Sequence, residues 1–280
     1  MTQGPLLTDR PALERNRARA LAMPDPALFL HETAMDEVKE RLETVNRTFT
    51  DAAVVTGFPA LWQQVLPQAR MVPDAEVLDL APASMDLVVH ALALHWANDP
   101  VGQIVQCRRA LRPDGLFLAL FFGGQTLHEL RTALAEAEAE VTGGLSPRVL
   151  PMGEIRDVGA LLQRAGLALP VADSFTQTVS YRDAFHLMRD LRAMGEGNAL
   201  AGRLRHPTRR AVLLRAAQIY AAAHAGPDGR IPASFEMLCL TGWSPHGSQQ
   251  KPLRPGSAQQ RLAEALNTAE VPLGKGSQPG

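Results

Sequence analysis

Residues 85–124 read MDLVVHALALHWANDPVGQIVQCRRALRPDGLFLALFFGG, and this stretch decides the fold. Leu87 to Ala91 has the pattern of a buried strand, followed by a polar corner at His95-Trp96-Ala97-Asn98-Asp99-Pro100. An amphipathic helix comes next, then a turn at Pro113-Asp114-Gly115 and a second apolar strand closed by Gly123-Gly124. That is one strand–helix–strand unit. Both strands are nearly continuous apolar runs, as expected where helices cover both faces of a parallel sheet. Open sheets of this kind bind ligands beyond the carboxyl ends of their strands. The HWAND corner and the FFGG turn are therefore where function is expected.

Before this unit, residues 1–28 carry Pro5, Pro11, Pro24 and Pro26 around an Arg-rich segment, which predicts an arm with one helical stretch. Phe29 to Thr50 has helical apolar spacing. A strand is expected at Ala52–Val55, a helix at Ala60–Leu66 and a brief strand at Arg70–Val72. After Gly124, Thr126 and Glu129 have capping-box spacing for a helix ended by Gly143-Gly144. Further helices are expected at 154–165, 184–194 and 208–223, with strands at 169–181 and 233–242. Alternation of this kind implies an α/β, doubly wound, mostly parallel sheet in residues 29–243. A helical insertion, about 181–226, is expected over its carboxyl edge. Residues 244–280, rich in Gly, Pro, Ser and Gln, read as a largely disordered tail.

The 280 residues are 46% apolar and 20% charged with a net charge of −1, which gives no reason to expect nucleic-acid binding. Cys107 and Cys239 are far apart, without metal-ligand spacing, and read as buried thiols of a reducing compartment. No secretory pattern follows the early arginines and no apolar run approaches the ~20 residues of a membrane span, so a cytoplasmic location is expected. No metal site, Ser-His-Asp arrangement or phosphate loop is visible.

MDLVV, the LHWAND corner, LRPDGLF at 111–117 and GGQTLHELR at 123–131 together resemble the class I S-adenosylmethionine-dependent methyltransferase fold. More narrowly, the chain resembles the branch with the biotin-pathway malonyl-carrier methyltransferase and the mitochondrial complex I assembly factor regarded as an arginine hydroxylase. Arg164-Ala165-Gly166, LMRDLRAMGEGN at 187–198, GRIPASF at 229–235 and TGW at 241–243 extend the likeness to most of residues 10–260. It implies a Rossmann-like sheet, an S-adenosylmethionine site and a protein substrate or client.

The first third departs from that pattern. In the family, the first strand leads into a GxGxG-like loop whose glycines let backbone amides approach the cofactor. Here the loop is Val55-Thr56-Gly57-Phe58-Pro59, with one glycine. Sixteen residues lie between Gly57 and Asp74, room for one helix and one short strand. Asp74-Ala75-Glu76, twelve residues ahead of Asp86, has the spacing that follows the family's third strand, where such residues contact the adenine amine. The second strand, with its ribose-binding acid and following helix, is missing. Two lost charged hydrogen bonds of roughly 1.5–3 kcal/mol each would weaken cofactor binding by roughly two to four orders of magnitude.

The cofactor-binding candidates are thus Gly57, Asp74 and Glu76, with Gly57 alternatively an ordinary turn glycine and Asp74 an exposed loop carboxylate. The catalytic candidates are His95, Trp96, Asp99 and Glu196. His95 is a general base or orienter with Asp99 nearby; the alternative makes Trp96 a core plug and Asp99 a helix cap. Glu196 lies in the Met194-Gly195-Glu196-Gly197-Asn198 break, where a loop with positive φ facing a ligand or partner is expected. Two functions follow: a methyltransferase-like pseudoenzyme serving as an interaction or assembly factor, or an active S-adenosylmethionine-dependent transferase or arginine hydroxylase.

Overall fold

The computed structural model describes residues 6–249, and the compact unit that carries the sheet ends at His246. Much of the expected tail therefore lies outside the described residues. The elements in chain order are α1 (Arg10–Leu21), α2 (Phe29–Thr44), β1 (Ala52–Thr56), α3 (Pro59–Trp62), β2 (Arg70–Val72), β3 (Met85–Ala91), α4 (Pro100–Ala110), β4 (Leu111–Gly123), α5 (His128–Thr142), α6 (Ile155–Arg164), β5 (Ala168–Tyr181), α7 (Ala184–Ala193), α8 (Arg210–His224) and β6 (Ile231–Trp243). The six strands lie in the order β2-β1-β3-β4-β6-β5. β2, β1, β3 and β4 are parallel, whereas β6 runs antiparallel to both β4 and β5.

The apolar runs of β3 and β4 are buried on both faces. Leu116, Leu118, Leu120 and Phe122 join the core beneath α2, α5, α7 and α8, while Phe117, Ala119 and Phe121 join the core beneath α4 and α6. The expected turn at Pro113-Asp114-Gly115 is a bulge inside β4: Met85 pairs with Leu111, but Leu87 already pairs with Leu116. Asp114 has φ 63° there. The segment between Gly57 and Asp74 folds as a single four-residue helix and a three-residue strand, as its length requires. β2 lies directly beside β1 at the sheet edge.

Two local expectations need correction. The helix predicted to Thr50 stops at Thr44, because Val45 is extended and Arg47 turns away to pair with Asp114 across a 2.9 Å ion pair. Thr126 and Glu129 do not form a capping box. α5 starts at His128 behind a left-handed Leu127, and the Thr126 hydroxyl donates to the Gly123 carbonyl (2.8 Å) and accepts from the Glu236 amide (2.9 Å). The Glu129 carboxylate accepts from the Ser234 hydroxyl at 2.6 Å. Antiparallel β6 supplies partners closer than the helix end does, so these side chains fasten the FFGG turn to it.

The arm is part of the body. Asp9 caps α1 by accepting from the Ala12 amide (3.1 Å), and the Asp9 carboxylate also takes Arg203 and Arg205. Leu13 and Ala12 pack with Trp96, Leu150, Ala199 and Leu200 in a third apolar cluster. This places α1 beside the carboxyl ends of the parallel strands. No helix among the described residues is long and apolar enough to cross a membrane.

Candidate functional site

Two groups of side chains meet at those strand ends. The first forms around the loop after β1. Arg10 and Arg17 are seven residues apart, two turns of α1, and so share a helix face. Both reach Asp74: Arg17 Nη1 donates to Oδ1 at 2.8 Å, and Arg10 Nη1 to Oδ2 at 3.1 Å. Arg10 also donates to the Asp74 carbonyl at 2.6 Å. Asp74 is thus no exposed loop carboxylate; it is 3% exposed. Burial raises its pKa, but the fields and hydrogen bonds of Arg17 and Arg10 outweigh it and hold the carboxyl below its ordinary range. Glu76 lies outside this pair and accepts from the Asn98 amide at 2.8 Å.

The Arg17 guanidinium lies over Gly57. A Cβ built on Gly57 would collide with Arg17 Nη1, so a side chain here would have to displace the guanidinium. The other side of Arg17 rests on Gly195, whose φ is 80° and whose Cβ would meet Arg17 Cα and Phe58 Cζ at 3.2 Å. Phe58 itself lies 5.9 Å from Arg17 Cζ, measured to its ring centroid. Behind it, Trp62 Nε1 donates to His31 Nδ1 at 3.1 Å, and burial depresses the His31 pKa to about 3, so this imidazole is neutral. Aromatic and guanidinium groups thus fill the volume over the loop. A methionyl group lying on the Gly57 backbone would need the space that Arg17 occupies.

The second group lies beyond β3 and β4. His95 Nε2 and Trp96 Nε1 both meet Glu196 Oε2, at 3.3 and 2.7 Å, the indole donating. Burial opposes the charged Glu196, but the field and hydrogen bond of His95, the field of Arg17 and the Trp96 N–H hold its pKa below the usual value. Of the sequence candidates, His95, Trp96 and Glu196 therefore come together. Asp99 does not join them: its Oδ1 accepts the Gly102 amide at 2.7 Å and caps α4. The carboxylate partnering His95 comes from the glycine break between α7 and α8, a hundred residues away in sequence.

A cavity of about 590 Å³ opens beside this group. Trp96, Phe122 and Phe235 help form its walls, and Glu196, Arg19, Arg148, Arg192 and Arg203 also line it. His95, with its side chain 2% exposed, is not among the lining residues. A general base must reach the proton it takes; Glu196 has that access, while His95 sits behind it, packed on Phe122 with ring centroids 5.0 Å apart. Among the described residues no group of three or more metal-capable side chains is present.

Sequence reasoning missed Arg10, Arg17 and His31. Their signal was indirect: a loop stripped of glycines leaves a volume to fill, and the arm carries two arginines at a two-turn spacing.

A family model described as a methyltransferase domain matches residues 20–119. The arginine-hydroxylase NDUFAF5, mitochondrial, of Dictyostelium discoideum is 43% identical over 187 residues, covering 66% of this chain and 43% of that protein. The protein of the same name from Homo sapiens is 36% identical, covering 84% of this chain and 68% of its own length. The malonyl-[acyl-carrier protein] O-methyltransferase of Halorhodospira halophila is 31% identical, covering 87% of this chain and 90% of its own. The chain thus spans less than half the length of the Dictyostelium relative.

Proposed function

This chain belongs to the S-adenosylmethionine-dependent methyltransferase-like family, and we propose that it works there as an interaction or assembly factor whose cofactor site has been closed by its own first helix. One observation carries the reading: the guanidinium of Arg17 lies on Gly57 and is held there by Asp74. The residue that would contact adenine and the loop that would cradle the methionyl group are both engaged by α1. The ribose-binding acid has no counterpart in the shortened segment. S-adenosylmethionine does not fit residues arranged in this way. The client is a protein, the setting is the cytoplasm, and the resemblance to assembly factors points to respiratory complex I.

Isothermal calorimetry of the full chain with S-adenosylmethionine and S-adenosylhomocysteine tests this. No binding heat is expected at micromolar ligand; micromolar affinity for either overturns the proposal. Such affinity would favour a second reading, an active S-adenosylmethionine-dependent methyltransferase or protein arginine hydroxylase. The observation favouring that reading is the cavity itself, which keeps Glu196 and Trp96 at a wall where a substrate could meet them.

A further inference from the structure

The four arginines around the cavity are not equivalent. Arg148 is held by Glu138 through Nε (2.9 Å) and Nη2 (2.6 Å), and Arg203 shares Asp9 with Arg205. Three guanidinium groups here face two carboxylates. Arg19, in the last turn of α1, and Arg192, in the last turn of α7, line the same cavity, and among the described residues neither has an acidic partner. Both are exposed. Glu196, the one carboxylate on the lining among the described residues, is already engaged by His95 and Trp96. The cavity therefore couples an apolar floor, including Phe122, Leu130, Met188 and Phe235, to a mouth with surplus positive charge.

We propose that this cavity docks an acidic segment of a protein client, inserting apolar side chains between α5 and α7 while flanking carboxylates engage Arg19 and Arg192. The inference rests on the client-binding reading above and names the chemistry of the client. Charge complementarity selects the partner: unpaired arginines at a rim attract carboxylates, reject basic segments and speed encounter. Apolar side chains and the two methionines of the lining, Met152 and Met188, fill the interior adaptably. α1 takes part twice, with Arg17 closing the cofactor position and Arg19, two residues on, facing the cavity mouth.

Fluorescence anisotropy of the full chain with two labelled peptides tests this, one alternating Glu with Leu and Phe, the other carrying Lys in place of each Glu. The acidic peptide is expected to bind at least about tenfold more tightly, and to weaken as salt rises from about 50 to about 500 mM. Arg19→Gln/Arg192→Gln should remove that preference. Arg156→Gln, an exposed site on α6 away from the cavity, should keep it. Both arginines being exposed, far-ultraviolet circular dichroism should show the double variant folded. Equal binding of the two peptides, or a preference that survives Arg19→Gln/Arg192→Gln, overturns the proposal. So does arginine-dependent binding to phosphatidylglycerol vesicles with no peptide binding, which would reassign the mouth to a lipid surface. The calorimetry stands apart: tight S-adenosylmethionine binding sinks the closed-site reading whatever the peptides do, and peptide failure without cofactor binding sinks only this inference.

Discussion

The two halves of the parallel sheet are held together by different physics. β3 and β4 are seven and thirteen residues long and alternate their apolar side chains into two cores, and the turn after β4 is stitched to β6 through Thr126 and Glu236. β1 and β2 have five and three residues, and beyond their ends the chain is secured by two arginines on one carboxylate. In the first half apolar area removed from water does the work. In the second, Ala53, Val54, Val55 and Val72 join the same cores, and charges have in addition been taken from water and matched to one another. The lesson is that a short stretch of sheet can be secured by a helix from elsewhere in the chain, here α1 through Arg10 and Arg17 on Asp74.

Asp74→Ala breaks the second half at its centre and should have the largest effect. It strands Arg17 as a buried charge with Nε and Nη2 already unpartnered, and breaking a buried pair costs about 3–5 kcal/mol. Leu118→Ala, in the fully packed half, should cost about 2–5 kcal/mol by leaving a cavity. Urea unfolding at neutral pH measures both. What separates the halves is pH. A depressed folded-state pKa means that Asp74 contributes its stability above the unfolded-state value of about 3.9 and loses it as pH falls through the lower folded-state value. The cost of Asp74→Ala should shrink through that window, while that of Leu118→Ala should not. Two costs that move together with pH would show that the ion pairs are not what holds the β1 half.

This contrast also explains what was legible in the sequence. Apolar periodicity places β3, α4, β4 and the late elements because burial writes itself into residue type at fixed spacing. The deletion was equally visible, since sixteen residues cannot hold two strand–helix units. The filling of the gap was not visible: an arginine on an exposed helix and one paired beneath it look alike until the fold brings Asp74 to Arg17, 57 residues apart in sequence. For the same reason Asp99 looked like the partner of His95. Sequence proximity favoured it, but a carboxylate one residue before Pro100 at a helix start finds backbone amides first, and Glu196 arrives from a distant loop.

The buried histidines give the next effect in size. Burial depresses His31 to about 3 and His90 to about 4. Each is neutral in the folded state, so the unfolded chain takes the proton first. Stability from these groups is complete above the unfolded pKa of about 6.5 and falls with decreasing pH, at up to about 1.4 kcal/mol per pH unit for each histidine. The window closes near 4 for His90 and near 3 for His31. His90→Leu leaves Gln103 Oε1 without its 2.7 Å partner and lowers stability at neutral pH, yet it should flatten the slope between pH 6 and pH 4.5 by about 1.4 kcal/mol per unit. An unchanged slope would mean that His90 does not titrate on unfolding.

Asp99→Ala should have the smallest effect, and it sharpens the comparison most finely because it touches the intact half without touching the cavity. Removing the Oδ1 acceptor leaves the Gly102 amide to water and should cost about 0.5–2 kcal/mol, the usual range for an N-cap. If the cap is its whole role, the near-ultraviolet signal of Trp96, fixed by Glu196 through a 2.7 Å hydrogen bond, should not move. Glu196→Gln is the converse. It removes the charge that meets His95 while the amide oxygen can still accept from the indole, so a small stability change should accompany an altered indole environment. A Trp96 signal altered by Asp99→Ala would mean that the HWAND corner moves as one piece, making the intact half less independent of the cavity than its packing implies.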